Sequence, residues 1–239
     1  MDTKESKVYN KKFSDLIIKQ HLFVNDEEYD SILSWILNKQ ENCLAQVNRI
    51  DLNDVLNGDW FQSKKTGNIE HKTGEFFKII GVDVKTDLRE SGKGWKQPMI
   101  DQGTESSVAG FLCKIENQNI FCLVEAKFEP GNYGKVLISP SLQVTYSNLL
   151  QAHGGRKPRF SEFFEDNSKL GNCIYSKWLP EDGGRFYLKR VKYMIVTINN
   201  EIQLDIDDNF RWISVNTLKR LLYVDNLLNP HVRSLLALF

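Results

Sequence analysis

Two apolar stretches, Phe111–Glu116 and Ile120–Phe128, flank the triplet Asn117-Gln118-Asn119. Asparagine tolerates the left-handed backbone of a tight turn, so these residues predict an antiparallel hairpin. Alternate side chains of a strand share a face. Cys122, Val124, Ala126 and Phe128 then form one apolar face. The other face begins with Phe121 and Leu123 and turns to Glu125, Lys127 and Glu129. Further strands are predicted over residues 76–84, 136–139, 142–146, 193–198 and 203–206, which are rich in β-branched and aromatic residues.

Both ends of the chain read as helical. Asn25 caps a helix that opens on Asp26, Glu27 and Glu28, and Tyr29, Ile32, Leu33, Ile36 and Leu37 recur at the spacing of one helical face. A shorter helix is predicted around Phe13–His21. Ser214 caps a helix reaching Tyr223, and Asn229-Pro230 has the cap-plus-proline form of another start. The expectation is an α+β domain, with a mixed or antiparallel sheet flanked by helices. Residues 1–45 form an N-terminal helical extension and residues 46–239 a single domain, without internal repeats or a long linker.

Composition removes several function classes. Among 239 residues, 31 Lys and Arg balance 31 Asp and Glu, which leaves no footprint for generic nucleic-acid binding. No apolar run approaches the roughly 20 residues of a membrane helix. The polar start, Met1-Asp2-Thr3-Lys4-Glu5-Ser6-Lys7, does not read as a signal peptide. Cys43, Cys113, Cys122 and Cys173 have neither CxxC nor metal-ligand spacing. A reduced, cytoplasmic protein is expected, with no nucleic-acid or membrane partner.

Candidate chemistry concentrates after Ile120. Glu125, Lys127 and Glu129 sit at alternate positions, and Pro130 holds Glu129 in an extended backbone. They read either as acid, base and cation lining a cleft or as solvated ion pairs on a half-exposed strand, and the residues alone favour the latter. In the next strand, Gln143, Thr145 and Ser147 share a polar face. His153-Gly154-Gly155-Arg156-Lys157-Pro158-Arg159 combines flexible backbone with cations, which suits a diphosphate or an ordinary surface loop. Arg185–Lys192 is a second basic stretch, read either as a phosphate contact or as a charged edge strand. The histidines His21, His71, His153 and His231 are scattered, and no Rossmann, P-loop or nucleophile-elbow motif is present.

In order along the chain come Ile50-Asp51-Leu52, Trp60, Thr66-Gly67-Asn68-Ile69-Glu70-His71-Lys72-Thr73-Gly74-Glu75-Phe76-Phe77 and Trp95-Lys96-Gln97-Pro98-Met99-Ile100. Leu123-Val124-Glu125-Ala126-Lys127-Phe128-Glu129-Pro130-Gly131-Asn132 follows. Then come Ser139-Pro140-Ser141-Leu142-Gln143, Ser147-Asn148, His153-Gly154-Gly155, Phe210-Arg211-Trp212 and Asn229-Pro230-His231-Val232-Arg233-Ser234-Leu235-Leu236. From about residue 50 to the C-terminus this series resembles the NDP-hexose 2,3-dehydratases of deoxysugar biosynthesis. The resemblance implies a Nudix-like fold without the Nudix metal signature. It implies loss of water across C2 and C3 of a nucleotide-linked 4-keto-6-deoxyhexose, dTDP favoured, with no cofactor and no metal. The product would pass to a separate 3-ketoreductase.

Such an elimination needs a base at C3, a donor to the enolate oxygen and an acid for the departing hydroxyl. Residue chemistry nominates Glu129 as base, Lys127 as oxyanion donor and His153 as acid. Glu125, Trp95, Gln97, Asn132, Ser139, Gln143, Ser147 and Asn148 are candidates for holding sugar and base. Arg156, Arg185 and Arg190 are candidates for the diphosphate. Familiar members of the family carry two tandem units where this sequence has one, have Gln at the position of Glu125 and have Thr at that of Ser141. A symmetric homodimer is therefore expected to reproduce the tandem pair. A non-catalytic nucleotide-sugar-binding module and a related keto-sugar lyase or isomerase are the alternatives.

Overall fold

Asn117 and Gln118 both take positive φ, 48° and 64°, and close the expected hairpin. In this computed structural model, which describes residues 13, 15, 25–87, 94–149, 157–166 and 168–239, the hairpin is the centre of the molecule. Its arms are β5 (Glu105–Glu116) and β6 (Asn119–Phe128). They pair from Glu116↔Asn119 to Cys113↔Cys122 and then separate. Into the gap come β7 (Val136–Pro140), which pairs with β6, and β8 (Leu142–Thr145), which pairs with β5.

Ser141, the single residue between β7 and β8, sits at the point of the fork. Leu112 N–H donates to its Oγ at 2.7 Å, and the same hydroxyl donates to Leu123 C=O at 2.6 Å. Leu112 and Leu123 are the next positions in register after Cys113↔Cys122. One buried hydroxyl thus stands in for the ladder bonds that the diverging strands give up.

The central sheet runs β11-β6-β5-β10-β9, adding β9 (Asn172–Pro180), β10 (Arg190–Thr197) and β11 (Phe210–Ser214). β10 lies parallel to β5 and the other pairings are antiparallel, which makes the sheet mixed. Cys122, Val124, Phe111 and Ile138 pack on one side against Ile32, Ile36, Leu218 and Leu235. These last four belong to α1 (Asp26–Glu41), to α4 (Val215–Leu221) and to α5 (Pro230–Leu236). Leu112, Leu123 and Met194 pack on the other side against Phe160, Phe163 and Phe164 of a 3-10 turn region. Gly110 is required there because a Cβ would overlap the Phe164 ring.

A separate antiparallel meander contains β1 (Trp60–Gln62), β2 (Ile69–His71), β3 (Lys78–Val84) and β4 (Trp95–Asp101). Short helices α2 (Leu52–Leu56) and α3 (Tyr146–Leu149) complete the described elements. No helix among the described residues is long and apolar enough to cross a membrane.

The predicted caps are present. Asn25 accepts from Glu28 N–H, Ser214 from Thr217 N–H and Asn229 from Val232 N–H. The Glu28 carboxylate accepts from Ser214 N–H, Ser214 Oγ and Thr217 Oγ1 at 2.6–2.7 Å, which ties α1 to the start of α4. Of the predicted helix around Phe13–His21, all but Phe13 and Asp15 lies outside the described residues. Phe13 is buried, with its ring 5.8 Å from that of Phe239.

Two expectations need correction. Residues 203–206 form no strand. Ile202, Leu204 and Ile206 do alternate inward against the second core, but no neighbouring strand pairs with this segment. The strand instead begins at Phe210, which pairs with Glu125. The charged-edge reading of Arg185–Lys192 also fails, because β10 lies between β5 and β9. Val191 and Tyr193–Val196 are buried on both faces, as an interior strand requires.

The fork makes a stability prediction. Ser141→Ala leaves a buried N–H and a buried C=O without a partner, at about 1–3 kcal/mol each. Urea unfolding is expected to show a loss of about 2–6 kcal/mol, and a loss below about 0.5 kcal/mol would contradict the bridging role.

Candidate active site

The three charges of β6 lie where that strand leaves the second core and enters the fork. Glu125 pairs in register with Ser139 on one side and Phe210 on the other. Burial pushes its carboxyl above the ordinary value, Asp207 and Glu129 add to that, and Lys127 and Arg159 oppose it. Lys127 Nζ donates to Gln143 C=O at 2.9 Å and lies 3.5 Å from Glu129 Oε1. Its side chain is only 25% exposed, so this ion pair is better shielded than an ordinary surface pair. Glu129 opens a tight turn, receiving Asn132 N–H on its carbonyl while its own N–H donates to Lys135 C=O.

Asn229 gathers the fork from the helical side. Its Nδ2 donates to Ser139 Oγ at 2.9 Å and to Gln143 Oε1 at 2.6 Å, while its Oδ1 caps α5. Two residues on, His231 Nδ1 lies 2.8 Å from the Tyr193 hydroxyl of β10. Burial drives the His231 imidazole down to about 4, and the charges of Lys189 and Lys127 push the same way. Burial raises the Tyr193 phenol.

Lys189 joins this cluster to a second region. Its side chain is 10% exposed, with Nζ 3.9 Å from Glu181 Oε2 and 4.4 Å from the centre of the Phe186 ring. Burial lowers its pKa, against the pull of Glu181. Lys189 also lines a cleft of about 570 Å³ with Met99, Thr104, Glu181, Phe186 and Arg190. The 181–190 loop is held to β4 by Ile100 N–H to Arg185 C=O at 2.8 Å and Tyr187 N–H to Ile100 C=O at 2.9 Å.

The fork and the cleft divide the sequence candidates between them. Glu125, Lys127, Glu129, Ser139 and Gln143 come together at the fork. Ser139 is fully buried, with its hydroxyl engaged by Asn229. Trp95 and Gln97 belong with the cleft loop: Trp95 Nε1 donates to Gln97 Oε1, and Gln97 Nε2 donates to Gly184 C=O at 3.0 Å. Arg190 pairs with Glu105, and Arg185 with Asp182. Asn132 bonds within its own turn to Lys135 C=O, and Asn148 is exposed. His153, Arg156 and the Ser147 side chain lie outside the described residues.

Sequence reasoning missed Tyr193, Lys189, Asn229 and His231 as members of the site. Asn229-Pro230 read as a helix start and as part of the family-like ending, and the Asn229 side chain does cap α5 while its amide nitrogen does a second job. Lys189 looked like one cation of a basic stretch, and nothing local marks its burial. Among the described residues, no three His, Cys, Asp or Glu side chains cluster as a metal would require.

A model of the NDP-hexose 2,3-dehydratase family matches residues 29–239. Similar curated proteins carry the name dTDP-4-dehydro-6-deoxy-alpha-D-glucopyranose 2,3-dehydratase. The one from Saccharopolyspora spinosa is 31% identical over 203 residues, covering 85% of this chain and 40% of that protein. The one from Amycolatopsis orientalis is 32% identical, covering 87% of this chain and 44% of its own length. The one from Streptomyces violaceoruber is 31% identical, covering 85% and 45%. The chain therefore spans less than half the length of these relatives. Among solved structures, an ADP compounds hydrolase is similar at TM-score 0.40 and 10% identity, over 68% of this chain and 83% of that one. An Ap4A hydrolase from C. elegans is similar at TM-score 0.33 and 13% identity, over 56% and 93%.

Glu125 supplies a pH test. Its folded carboxyl is raised above the ordinary 4.5, so the native state binds protons more tightly than the unfolded chain. The stability it contributes is complete below that value and is lost as pH rises through the folded pKa. Glu125→Gln removes the buried charge. Urea unfolding is expected to find the variant more stable than the parent at pH 8, with the gap closing below pH 4.5. A gap that does not change with pH would contradict the burial account.

Proposed function

Because the chain belongs to the NDP-hexose 2,3-dehydratase family, we propose that it removes water across C2 and C3 of a nucleotide-linked 4-keto-6-deoxyhexose. The observation that carries this reading is the Lys127–Glu129 pair, 3.5 Å apart at the fork, with Lys127 braced on the Gln143 carbonyl. An elimination next to a ketone needs a base for the C3 proton and a donor to the enolate oxygen, roles that a carboxylate and a cation can fill. The ketone at C4 acidifies the C3 proton, and Glu129 accepts that proton as the C–H electrons form the enolate.

Lys127 donates to the oxygen on which the negative charge develops. The enolate then reforms the ketone, C2=C3 forms and the C2–O bond breaks. His153 gives the departing hydroxyl its proton, and water leaves. The enol left at C3 takes up a solvent proton at C2 and becomes a 3,4-diketo-2,6-dideoxy sugar. Glu125 and Gln143 contact the sugar from the same face. Arg190 and Arg185 take the diphosphate beside the cleft, where Trp95 and Gln97 hold the loop, and Arg156, outside the described residues, is a further candidate for it.

The nucleotide we favour is dTDP. A 3-keto product calls for a 3-ketoreductase as the next step. Two copies of this chain, associated symmetrically, approximate the length of the longer relatives. Four cysteines without a disulfide suit the cytoplasm.

Incubation with dTDP-4-keto-6-deoxyglucose in deuterated water is expected to show loss of water by mass spectrometry and deuterium at C2. Tight binding with neither change would leave a nucleotide-sugar-binding module instead. Glu129→Gln is expected to lower kcat by about 10²–10⁴-fold with the fold retained, and near-normal turnover would remove Glu129 from the role of base.

A further inference from the structure

Resting on the elimination just described, we propose that His231 donates a hydrogen bond from Nε2 to the enolate oxygen, and that Tyr193 is the positioning residue that fixes the ring in the tautomer able to do so. The geometry starts with Asn229. One side chain caps α5 and holds both Ser139 and Gln143, so the first turn of α5 is pinned to the fork where Lys127 is braced. His231 lies in that turn, half-buried, with Nδ1 2.8 Å from the Tyr193 hydroxyl. Among the described residues, its other ring nitrogen makes no hydrogen bond.

A neutral imidazole carries one proton, and its place depends on the partner of the other nitrogen. Tyr193 is buried and its phenol is raised, so it keeps its proton at working pH. In the proposed arrangement the phenol donates that proton to Nδ1, which leaves the N–H on Nε2. The groups facing His231 agree with a neutral ring. The charges of Lys189, in the loop before β10, and of Lys127 on β6 both disfavour the imidazolium. β10 contributes Tyr193, which feels the charge of Glu181, and the Ser234 hydroxyl of α5 donates to the Pro230 carbonyl. β7 has no titratable residue, and Lys219 of α4 is directed to the carbonyl of Phe239.

The same two lysines, whose charges add to burial in keeping the ring neutral, also favour negative charge placed near it. A neutral imidazole then donates to developing negative charge without releasing its proton, since the enolate is a weaker base than an imidazolate. Lys127 and His231 would act as two donors to one oxygen, as oxyanion sites commonly do.

Nitrogen-15 NMR of the free protein tests the tautomer without any substrate. The expected result is an Nε2–H imidazole that stays neutral down to about pH 5, in line with a pKa of about 4. Tyr193→Phe, checked for folding by near-UV circular dichroism, is expected to convert it to a mixture of tautomers. An Nδ1–H ring, or protonation above about pH 6, would overturn the proposal. In kinetics, His231→Leu is expected to lower kcat by about 10²–10³-fold with little change in KM. His231→Gln, which keeps an amide donor, is expected to recover at least tenfold of that loss. A folded His231→Leu with kcat within about threefold of the parent would also overturn it. A parent protein without turnover refutes the dehydratase reading, whereas the NMR result alone judges the tautomer.

Discussion

The structure depends on what happens where β5 and β6 part. A hairpin that stayed zipped would bury both arms in one sheet and leave no room for chemistry between them. Here the ladder stops at Cys113↔Cys122, and β7 and β8 fill the gap from either side. Opening a buried ladder exposes an N–H and a C=O to an apolar core, where each costs about 1–3 kcal/mol unless satisfied. The Ser141 hydroxyl satisfies both at once and so permits the fork. Glu125 and Lys127 project from one of the diverging strands, and Glu129 follows its end.

The fork also accounts for the electrostatics. Glu125, Lys127 and Glu129 occupy one face of β6, but they pass in sequence from half-buried toward the open end. Burial therefore raises the Glu125 carboxyl, while Lys127 finds both a carbonyl and a carboxylate. A low-dielectric wall on one side strengthens each of these interactions relative to water. Lys189 approaches from the cleft side with the same constraint, paired only loosely with Glu181. The charges of these two partly buried cations add to burial in keeping the His231 imidazole neutral.

Local signals were sufficient for the hairpin, the three helix caps and the order of charges on β6. Each of these is written within a few residues: the turn at Asn117, the cap oxygens of Asn25, Ser214 and Asn229, and the alternation after Ile120. The ordered motifs from Ile50 to Leu236 pointed to the family, whose model covers residues 29–239. What escaped was long-range. The meander of β1 to β4 consists partly of three-residue strands, too short for periodicity to register. Residues 203–206 had the alternation of a strand but lacked a partner, which only the tertiary structure decides. His231 lies 38 residues from Tyr193 and more than 100 from Lys127, so no spacing rule could join them. Glu125 was visible as a charge on an otherwise apolar strand, but the effect of burial on it was not.

The central claim is that the sugar is held at the fork, with its nucleotide directed toward the cleft beside Lys189. The chain spans 40–45% of the length of the curated relatives it matches. A crystal structure with a bound dTDP-hexose tests this most directly. The account predicts the hexose ring in contact with Lys127, Glu129 and Gln143, and the diphosphate within reach of Arg190. A hexose seated elsewhere, with the fork left to solvent, would contradict it.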